Sequence, residues 1–305
     1  MSYATTTKPK IDIHEEVTNN IIGLLDQVDY SDYQSPFAGL VAQGIPENPT
    51  TKKTYQGVNI LSLWFNQQSK QFTSNHWASF KQWKDNGAHV RKGEKGSRVI
   101  FYKTLEVSEE NSKGEDVSKK IPMLKVYTVF NENQIEGYKD PAGNEDFPVD
   151  KVEKIKLVDR FCEETKATIT NGEGLVPYYE VNKDFISLPE TVKFRDTDDL
   201  SATEHYYSIL LHELTHWTGA KKRLNRPGIT EKVNQEQYAF EELIAELGAA
   251  FLCAQHGISQ STTKNHAAYI KSWLQALKED KTYIFKASAQ AAKAVDFLNH
   301  LQPEV

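Results

Sequence analysis

The sequence has only two cysteines among its 305 residues, Cys162 and Cys253, and they lie far apart. A disulfide framework of the kind found in small secreted proteins is therefore not expected. No segment approaches 18 consecutive apolar residues, and the first residues lack the apolar stretch of a signal peptide. These absences argue against a membrane span and predict a soluble, cytoplasmic protein.

The chain also lacks an overall positive charge, because 36 lysines and arginines are outnumbered by 42 aspartates and glutamates and the net charge is −6. The charge is unevenly distributed, however: residues 48–104 contain ten lysines and arginines against only Asp85 and Glu94. This local excess of +8 leaves −14 for the remainder of the chain. The same stretch is rich in aromatic residues, and basic groups with exposed rings are typical of surfaces that bind single-stranded nucleic acid. Composition alone leaves open that the rings fill a core and the lysines are merely solvated.

The apolar periodicity predicts two domains of mixed α+β structure. We expect a β-hairpin from runs at 98–107 and 123–130, with a charged tip at 108–120. Asn, Gly, Pro and acidic residues in 131–150 predict a linker, which places the domains at 1–150 and 151–305. Further strands are expected at 176–181 and 185–188. Helices are expected from Ile13, at 58–67, around Trp77 to Trp83, and at 151–165, 202–218, 235–256, 262–279 and 284–301.

A His-Glu-x-x-His motif lies inside the predicted helix 202–218. Residues four apart share a helix face, so His212 and His216 can bind one zinc ion, while Glu213 reaches a metal-bound water. Zinc lowers the pKa of such a water towards about 7, which lets Glu213 act as general base in a peptidase-type reaction. A coincidental pair of solvated histidines is the alternative, which the apolar flanks of the motif disfavour.

A third ligand is expected, since catalytic zinc sites combine three protein ligands with one open position. The next predicted helix carries glutamates in apolar surroundings, where an unpaired carboxylate is costly. We assign Glu242 as the third ligand and Glu246 as the acceptor of a histidine N–H hydrogen bond. Glu241 and Glu246 remain alternatives for the ligand position. Residues 185–188 are expected to form an edge strand that aligns a substrate, and Tyr238 to help bind a reacting carbonyl.

Several segments together carry a more specific signal than the zinc motif. They include YQGVNIL at 55–61, WASFKQW at 77–83, GAHVRKGEKG at 87–96 and VFNENQ at 129–134, followed by 212–219, 223–226, 238–251 and 267–277. In this order they resemble the ArdC family of plasmid antirestriction proteins over nearly the whole chain. Two departures are the long charged segment 108–120 and Thr215, where the family often has glycine.

The resemblance implies an N-terminal domain that binds single-stranded DNA and a C-terminal zincin-like metallopeptidase domain. It also implies that the protein protects incoming plasmid DNA from restriction during conjugation. The expected partners are single-stranded DNA and a protein substrate such as a component of a restriction system, and the expected cofactor is one zinc ion. The residues expected to contact DNA are Lys52, Lys53, Tyr55, Trp77, Lys81, Trp83, Lys84, Arg91, Lys92, Lys95 and Arg98.

Two alternatives belong to other functional classes. One is a non-enzymatic protein that shields single strands and keeps the zinc for stability, although a structural zinc is normally closed by four protein ligands. The other is a plain peptidase whose basic stretch is only solvated surface.

Overall fold

A computed structural model describes residues 12–27, 35–110, 116–138, 151–172, 174–197, 200–261 and 266–303. The helices in these residues are α1 (Ile13–Leu25), α2 (Ala38–Val41), α3 (Val58–Ser69), α4 (Phe80–Asp85), α5 (Lys151–Glu164), α6 (Ala202–Thr218), α7 (Pro227–Thr230), α8 (Gln235–His256), α9 (His266–Glu279) and α10 (Tyr283–His300). The strands are β1 (Glu47–Asn48), β2 (Lys53–Thr54), β3 (Trp77–Ser79), β4 (His89–Val90), β5 (Ser97–Glu110), β6 (Asp116–Asn131), β7 (Ile135–Glu136), β8 (Thr168–Gly172), β9 (Tyr178–Glu180) and β10 (Phe185–Pro189). No helix in these ranges is both long and apolar enough to cross a bilayer.

The chain forms two compact units, which agrees with the expected α+β architecture of two parts. Unit 1 takes its described residues from Met1–Ile45, Gln56–Val58 and Asn144–Val305, and unit 2 from Pro46–Tyr55 and Asn59–Gly143. The segment before residue 46 therefore groups with the second half of the chain. The domain limits 1–150 and 151–305 remain a prediction. The two compact units have different limits.

Unit 2 is organised around the antiparallel sheet β3-β6-β5. Strands β5 and β6 form the predicted hairpin, with a continuous register from Ser97↔Val129 to Glu110↔Asp116, and residues 111–115 at its tip lie outside the described residues. The expectation of one helix around Trp77 to Trp83 is wrong at its start, because Trp77 pairs with Asn131 in β3. The helix begins only at Phe80, where an extended Ser79 and Gln82 form a capping box.

Unit 1 contains the sheet β8-β10-β9, in which β10 is the central strand. The expectation that 185–188 form an edge strand is therefore wrong. Strand β10 pairs in parallel with β8, which was not predicted, and antiparallel with β9. Its residues Ile186 and Leu188 are fully buried. Strand β9, which pairs with β10 in the antiparallel direction, is an edge strand of this sheet.

Helices α6 and α8 have the bounds that the sequence predicts, because both are capped at their N-termini. Ser201 forms a capping box with Glu204 in α6, and Asn234 forms one with Gln237 in α8. Helix α8 ends at Gly257, whose φ of 64° is a left-handed conformation that favours glycine. These two helices position the candidate metal centre.

Histidine 256, in the last turn of α8, makes unit 1 sensitive to acid. Its ring lies 4.5 Å from the ring of Phe161, and its Nε2 atom is buried without a hydrogen-bond partner among the described residues. Burial lowers the pKa of His256 to about 4. A depressed histidine pKa means that protonation favours unfolding, so stability is complete above the unfolded pKa of about 6.5 and is lost as the pH falls towards 4.

We therefore predict that the free energy of unfolding falls by about 2 kcal/mol between pH 7 and pH 5 through this residue. Urea unfolding at the two pH values measures the loss. A His256→Phe variant should lose most of this pH dependence, whereas His300→Gln, at an exposed histidine of α10, should keep it. The same pH dependence in His256→Phe and the wild type would contradict the assignment.

Candidate metal centre

The metal centre depends on a close approach of α6 to α8. A Cβ atom added to Gly248 would lie 2.5 Å from Cγ2 of Thr215, so only glycine fits at this position of α8. Thr215 is fully buried and donates its hydroxyl hydrogen bond to the carbonyl of Leu211. The absence of a side chain at Gly248 of α8 thus leaves space for the side chain of Thr215 on α6.

This packing brings His212, His216 and Glu242 together. One donor atom from each of the three lies within 4.8 Å of the others, and all three side chains are buried. The Nε2 atom of His212 lies 3.6 Å from Oε2 of Glu242, and Nε2 of His216 lies 3.6 Å from Oε1 of the same carboxylate. Both imidazoles therefore direct the same nitrogen towards one carboxylate.

These donors fit a divalent metal ion. Two imidazoles and a carboxylate are a ligand set used by catalytic zinc, and ligands about 2.0–2.2 Å from a tetrahedral ion lie about 3.3–3.5 Å apart. The observed separations of 3.6 Å, each from a histidine Nε2 to one oxygen of Glu242, are close to this range. Glu241, an alternative ligand in the sequence, does not belong to this group of three.

Glu241 instead contacts His216 at Nδ1, the ring nitrogen that does not face Glu242. Its Oε1 lies 3.2 Å from Nδ1 of His216, which donates the hydrogen bond and leaves Nε2 free to bind a metal. Arg226 donates to the same carboxylate through Nε and Nη2, and both members of this ion pair are buried. Burial alone raises the pKa of Glu241, but His216 and Arg226 outweigh it and hold the pKa below its usual value. Glu241 is thereby kept ionised.

Glu246 has the corresponding place beside His212. Its Oε2 lies 3.6 Å from Nδ1 of His212, on the opposite side of the ring from Glu242. Burial lowers the pKa of His212, but the hydrogen bonds with Glu242 and Glu246 dominate and raise it to about 10. Each histidine thus lies between one carboxylate at Nε2 and another at Nδ1.

The cluster opens into a cavity of about 270 Å³ in unit 1. Glu213 lines this cavity with the three clustered residues, and its side chain is otherwise buried. The segment around β9 supplies Val176, Pro177, Tyr178, Tyr179 and Val181 to the remaining wall. Helix α7 supplies Gly228 and Ile229, α8 supplies Tyr238 and α9 supplies Tyr269. The arrangement places a carboxylate outside the ligand group beside an accessible space lined by both polar and apolar groups.

Strand β9 is held beside the cavity by a network centred on Arg223. Arg223 donates to the hydroxyl of Tyr179, pairs with Asp184 in the turn before β10, and lies 3.8 Å from the ring centroid of Trp217 at the end of α6. Burial would raise the pKa of Asp184, but its bonds to Arg223, Lys222 and Tyr179 hold the pKa far below its usual value. This ionised turn fixes the β9–β10 hairpin to the helix that carries the histidines.

In unit 2, the basic residues expected to contact DNA are accessible. Lys52, Lys53, Lys81, Lys84, Arg91, Lys92 and Lys95 are exposed, and Arg98 is half-buried. Two of them already have acidic neighbours, since Lys81 pairs with Asp85 and Arg91 pairs with Glu94. Lys52, Lys53, Lys84, Lys92 and Lys95 add exposed positive charge to unit 2.

The aromatic residues expected to stack on bases are placed differently. Trp77 and Trp83 are fully buried, Tyr55 is 7% exposed, and the indole of Trp83 donates to the carbonyl of Phe130. Burial of these three rings rules them out as stacking surfaces and corrects that expectation. The exposed rings of unit 2 include Phe80, Phe101 and Tyr127, which the sequence did not distinguish from core residues.

Sequence reasoning also missed Arg226 and the role of Glu241. A signal for Glu241 was present, because each of the three glutamates in the apolar part of α8 needs a partner. Arg226 follows His216 by ten residues in an irregular loop, so neither helical spacing nor strand alternation connects them.

Comparison with known proteins agrees with this architecture. Residues 156–290 match the zincin-like metallopeptidase family, and residues 11–130 match the N-terminal domain of anti-restriction factor ArdC. The crystal structures of the antirestriction ArdC protein from plasmid R388, metal-free and Mn(II)-bound, are similar to this chain with TM-scores of 0.76 and 0.75. Their sequence identities are 36% and 35%, and each match covers 95% of this chain and 98% of the other.

Two further relatives differ in length. Protein y4eC of Sinorhizobium fredii is 35% identical, and the match covers 100% of this chain and 97% of that protein. The DNA primase TraC of Escherichia coli is 33% identical over 93% of this chain, but the chain spans only 27% of the primase.

The fold and the site define a two-domain protein with a zincin-like metallopeptidase domain that is suited to a divalent metal ion. More specifically, the chain belongs to the ArdC family of antirestriction proteins.

Proposed function

We propose that this protein is an antirestriction metallopeptidase that binds one zinc ion through His212, His216 and Glu242. The observation that carries the proposal is the cavity, which contains these three residues together with Glu213. When bound, a zinc ion would polarise a substrate carbonyl and lower the pKa of the attacking water. Glu213 would take the proton of that water on its carboxylate and deliver it to the leaving amine as the C–N bond breaks.

The rest of the cavity suits an extended peptide. Strand β9 pairs with β10 on one side, and no strand of the described residues pairs with its other side. A substrate strand can add to such an edge through backbone hydrogen bonds. Tyr238 lines the same cavity, and burial together with the neighbouring Glu242 raises the pKa of its phenol. It would therefore stay protonated and donate a hydrogen bond to the carbonyl under attack.

We further propose that unit 2 binds single-stranded DNA and that the protein protects incoming plasmid DNA in the cytoplasm during conjugation. The support is the exposed basic surface and the match to the N-terminal domain of ArdC, with a primase among the relatives. Phe101 and Tyr127 supply candidate stacking rings: they lie on neighbouring strands β5 and β6, and their centroids are 5.5 Å apart. A protein substrate such as a component of a restriction system would explain why a peptidase site accompanies DNA binding.

The peptidase proposal predicts that Glu213→Gln lowers the rate of peptide hydrolysis by about 10²- to 10⁴-fold, because a general base is lost. A fluorogenic library of extended peptides serves as the probe, with zinc content and thermal unfolding measured in parallel. Zinc content should not change, since Glu213 is not one of the ligands. Glu236→Gln, at an exposed glutamate in the first turn of α8, should retain full activity.

Equal activity in Glu213→Gln and the wild type would contradict the assigned base. A separate measurement of plasmid protection in a restricting recipient distinguishes the non-enzymatic alternative. If Glu213→Gln hydrolyses no peptide yet protects DNA fully, the protein acts as a shield and hydrolysis is not its mechanism.

The DNA proposal predicts two separable effects on binding to a fluorescent single-stranded oligonucleotide. The double variant Lys92→Ala/Lys95→Ala should weaken binding and reduce the salt slope by about 1.4, because each phosphate contact on single strands contributes about 0.7. Phe101→Ala should weaken binding by roughly 5-fold or more with an unchanged slope, because stacking is not ionic. Lys278→Ala, at an exposed lysine of α9 in unit 1, is the control. Absence of binding by the wild type at low salt would refute the proposal.

A further inference from the structure

Ser35 lies far in sequence from the residues that match the metallopeptidase family, yet it contacts their site. Its hydroxyl donates a hydrogen bond to Oε1 of Glu246, which is the carboxylate beside His212. Ser35 is 4% exposed and Glu246 is 1% exposed, so water does not compete for this bond. A residue that the family comparison assigns to the N-terminal ArdC domain, at 11–130, therefore reaches the surroundings of a candidate ligand.

The carboxylate of Glu246 is held unequally at its two oxygens. Oε1 accepts from Ser35 and also from Nε2 of Gln260, at 3.2 Å, and the same amide donates to the backbone carbonyl of Glu246. Oε2 faces Nδ1 of His212. Because Ser35 and Gln260 hold Oε1, the carboxylate group has a fixed orientation. In this orientation Oε2 points towards the imidazole of His212.

The position of Ser35 is itself determined by buried neighbours. The backbone N–H of Phe37 donates to the hydroxyl oxygen of Ser35, at 3.2 Å, which orients the hydroxyl. Phe37 is fully buried, and Leu40 and Val41 of α2 are almost so, as α2 packs against α8. The buried apolar residues after Ser35 thus hold its hydroxyl in place beside Glu246.

We propose that Ser35 is a positioning residue of the metal site, acting through Glu246 on the orientation of His212. The inference rests on the proposed metal site. Its consequence is that the segment before residue 46 completes the metallopeptidase unit, so residues 156–290 alone do not contain the whole site. Loss of the hydroxyl removes a side-chain donor to Oε1, and disturbing the partner of a ligating histidine typically costs 10- to 100-fold in metal affinity.

The test measures zinc affinity by competition with a chromophoric chelator for four full-length proteins: wild type, Ser35→Ala, Glu246→Met and the double variant. Ser35→Ala should bind zinc about 10-fold more weakly. If Ser35 acts through Glu246, adding Ser35→Ala to Glu246→Met should cause no further loss, since residues in one network are non-additive. Ser288→Ala removes another buried hydroxyl, bonded to the carbonyl of Phe285 in α10, and should leave the affinity unchanged.

A second measurement reports on the metal site and not on the folding stability of each variant. The absorption spectrum of the cobalt-loaded protein reports ligand geometry, and it should shift in Ser35→Ala but not in Ser288→Ala. Wild-type zinc affinity in Ser35→Ala, or independent losses in the double variant, would overturn the positioning role while leaving the metal site intact. Failure of the wild type to bind zinc would overturn the metal site itself and the inference with it.

Discussion

Burial of charge between α6 and α8 is the constraint on which the rest of the structure depends. The contact of Thr215 with Gly248 brings the helices so close that the histidines and glutamates of the metal centre are removed from water. Unpaired charges in such a place are strongly destabilising. Arg226 compensates Glu241 directly, with a short ion pair of 2.6 Å. A divalent ion between His212, His216 and Glu242 would add positive charge beside the Glu242 carboxylate within the same packing.

This constraint also gives each histidine two distinct sides. At Nε2 both rings face Glu242 and the cavity, whereas at Nδ1 each faces its own supporting carboxylate. The supports differ in kind, because Glu241 is held by a guanidinium and Glu246 by a hydroxyl and an amide. The cavity side is lined by residues of and around strand β9, so the proposed chemistry and the proposed substrate alignment would share one face of the unit.

The sequence predicted what local patterns determine and missed what distant segments determine. The spacing of His212 and His216 and the apolar periodicity of α6 and α8 act within a few residues, so the sequence alone predicted both helices and the position of the motif. The central position of β10 depends on β8, which is a parallel partner earlier in the chain, and nothing local to 185–188 reveals it. Burial of Trp77 and Trp83 escaped prediction for a similar reason: apolar periodicity shows that a ring shares a face, but not whether another segment covers that face. Ser35 lies 211 residues from Glu246, beyond any motif.

The most direct test of this account is a crystal structure of the zinc-loaded protein, with anomalous scattering measured at the zinc edge. The account predicts one ion bound by Nε2 of His212, Nε2 of His216 and the carboxylate of Glu242 at about 2.0–2.2 Å, with an open position towards Glu213. Zinc bound to Glu241, or closed off by a fourth protein ligand, would contradict it.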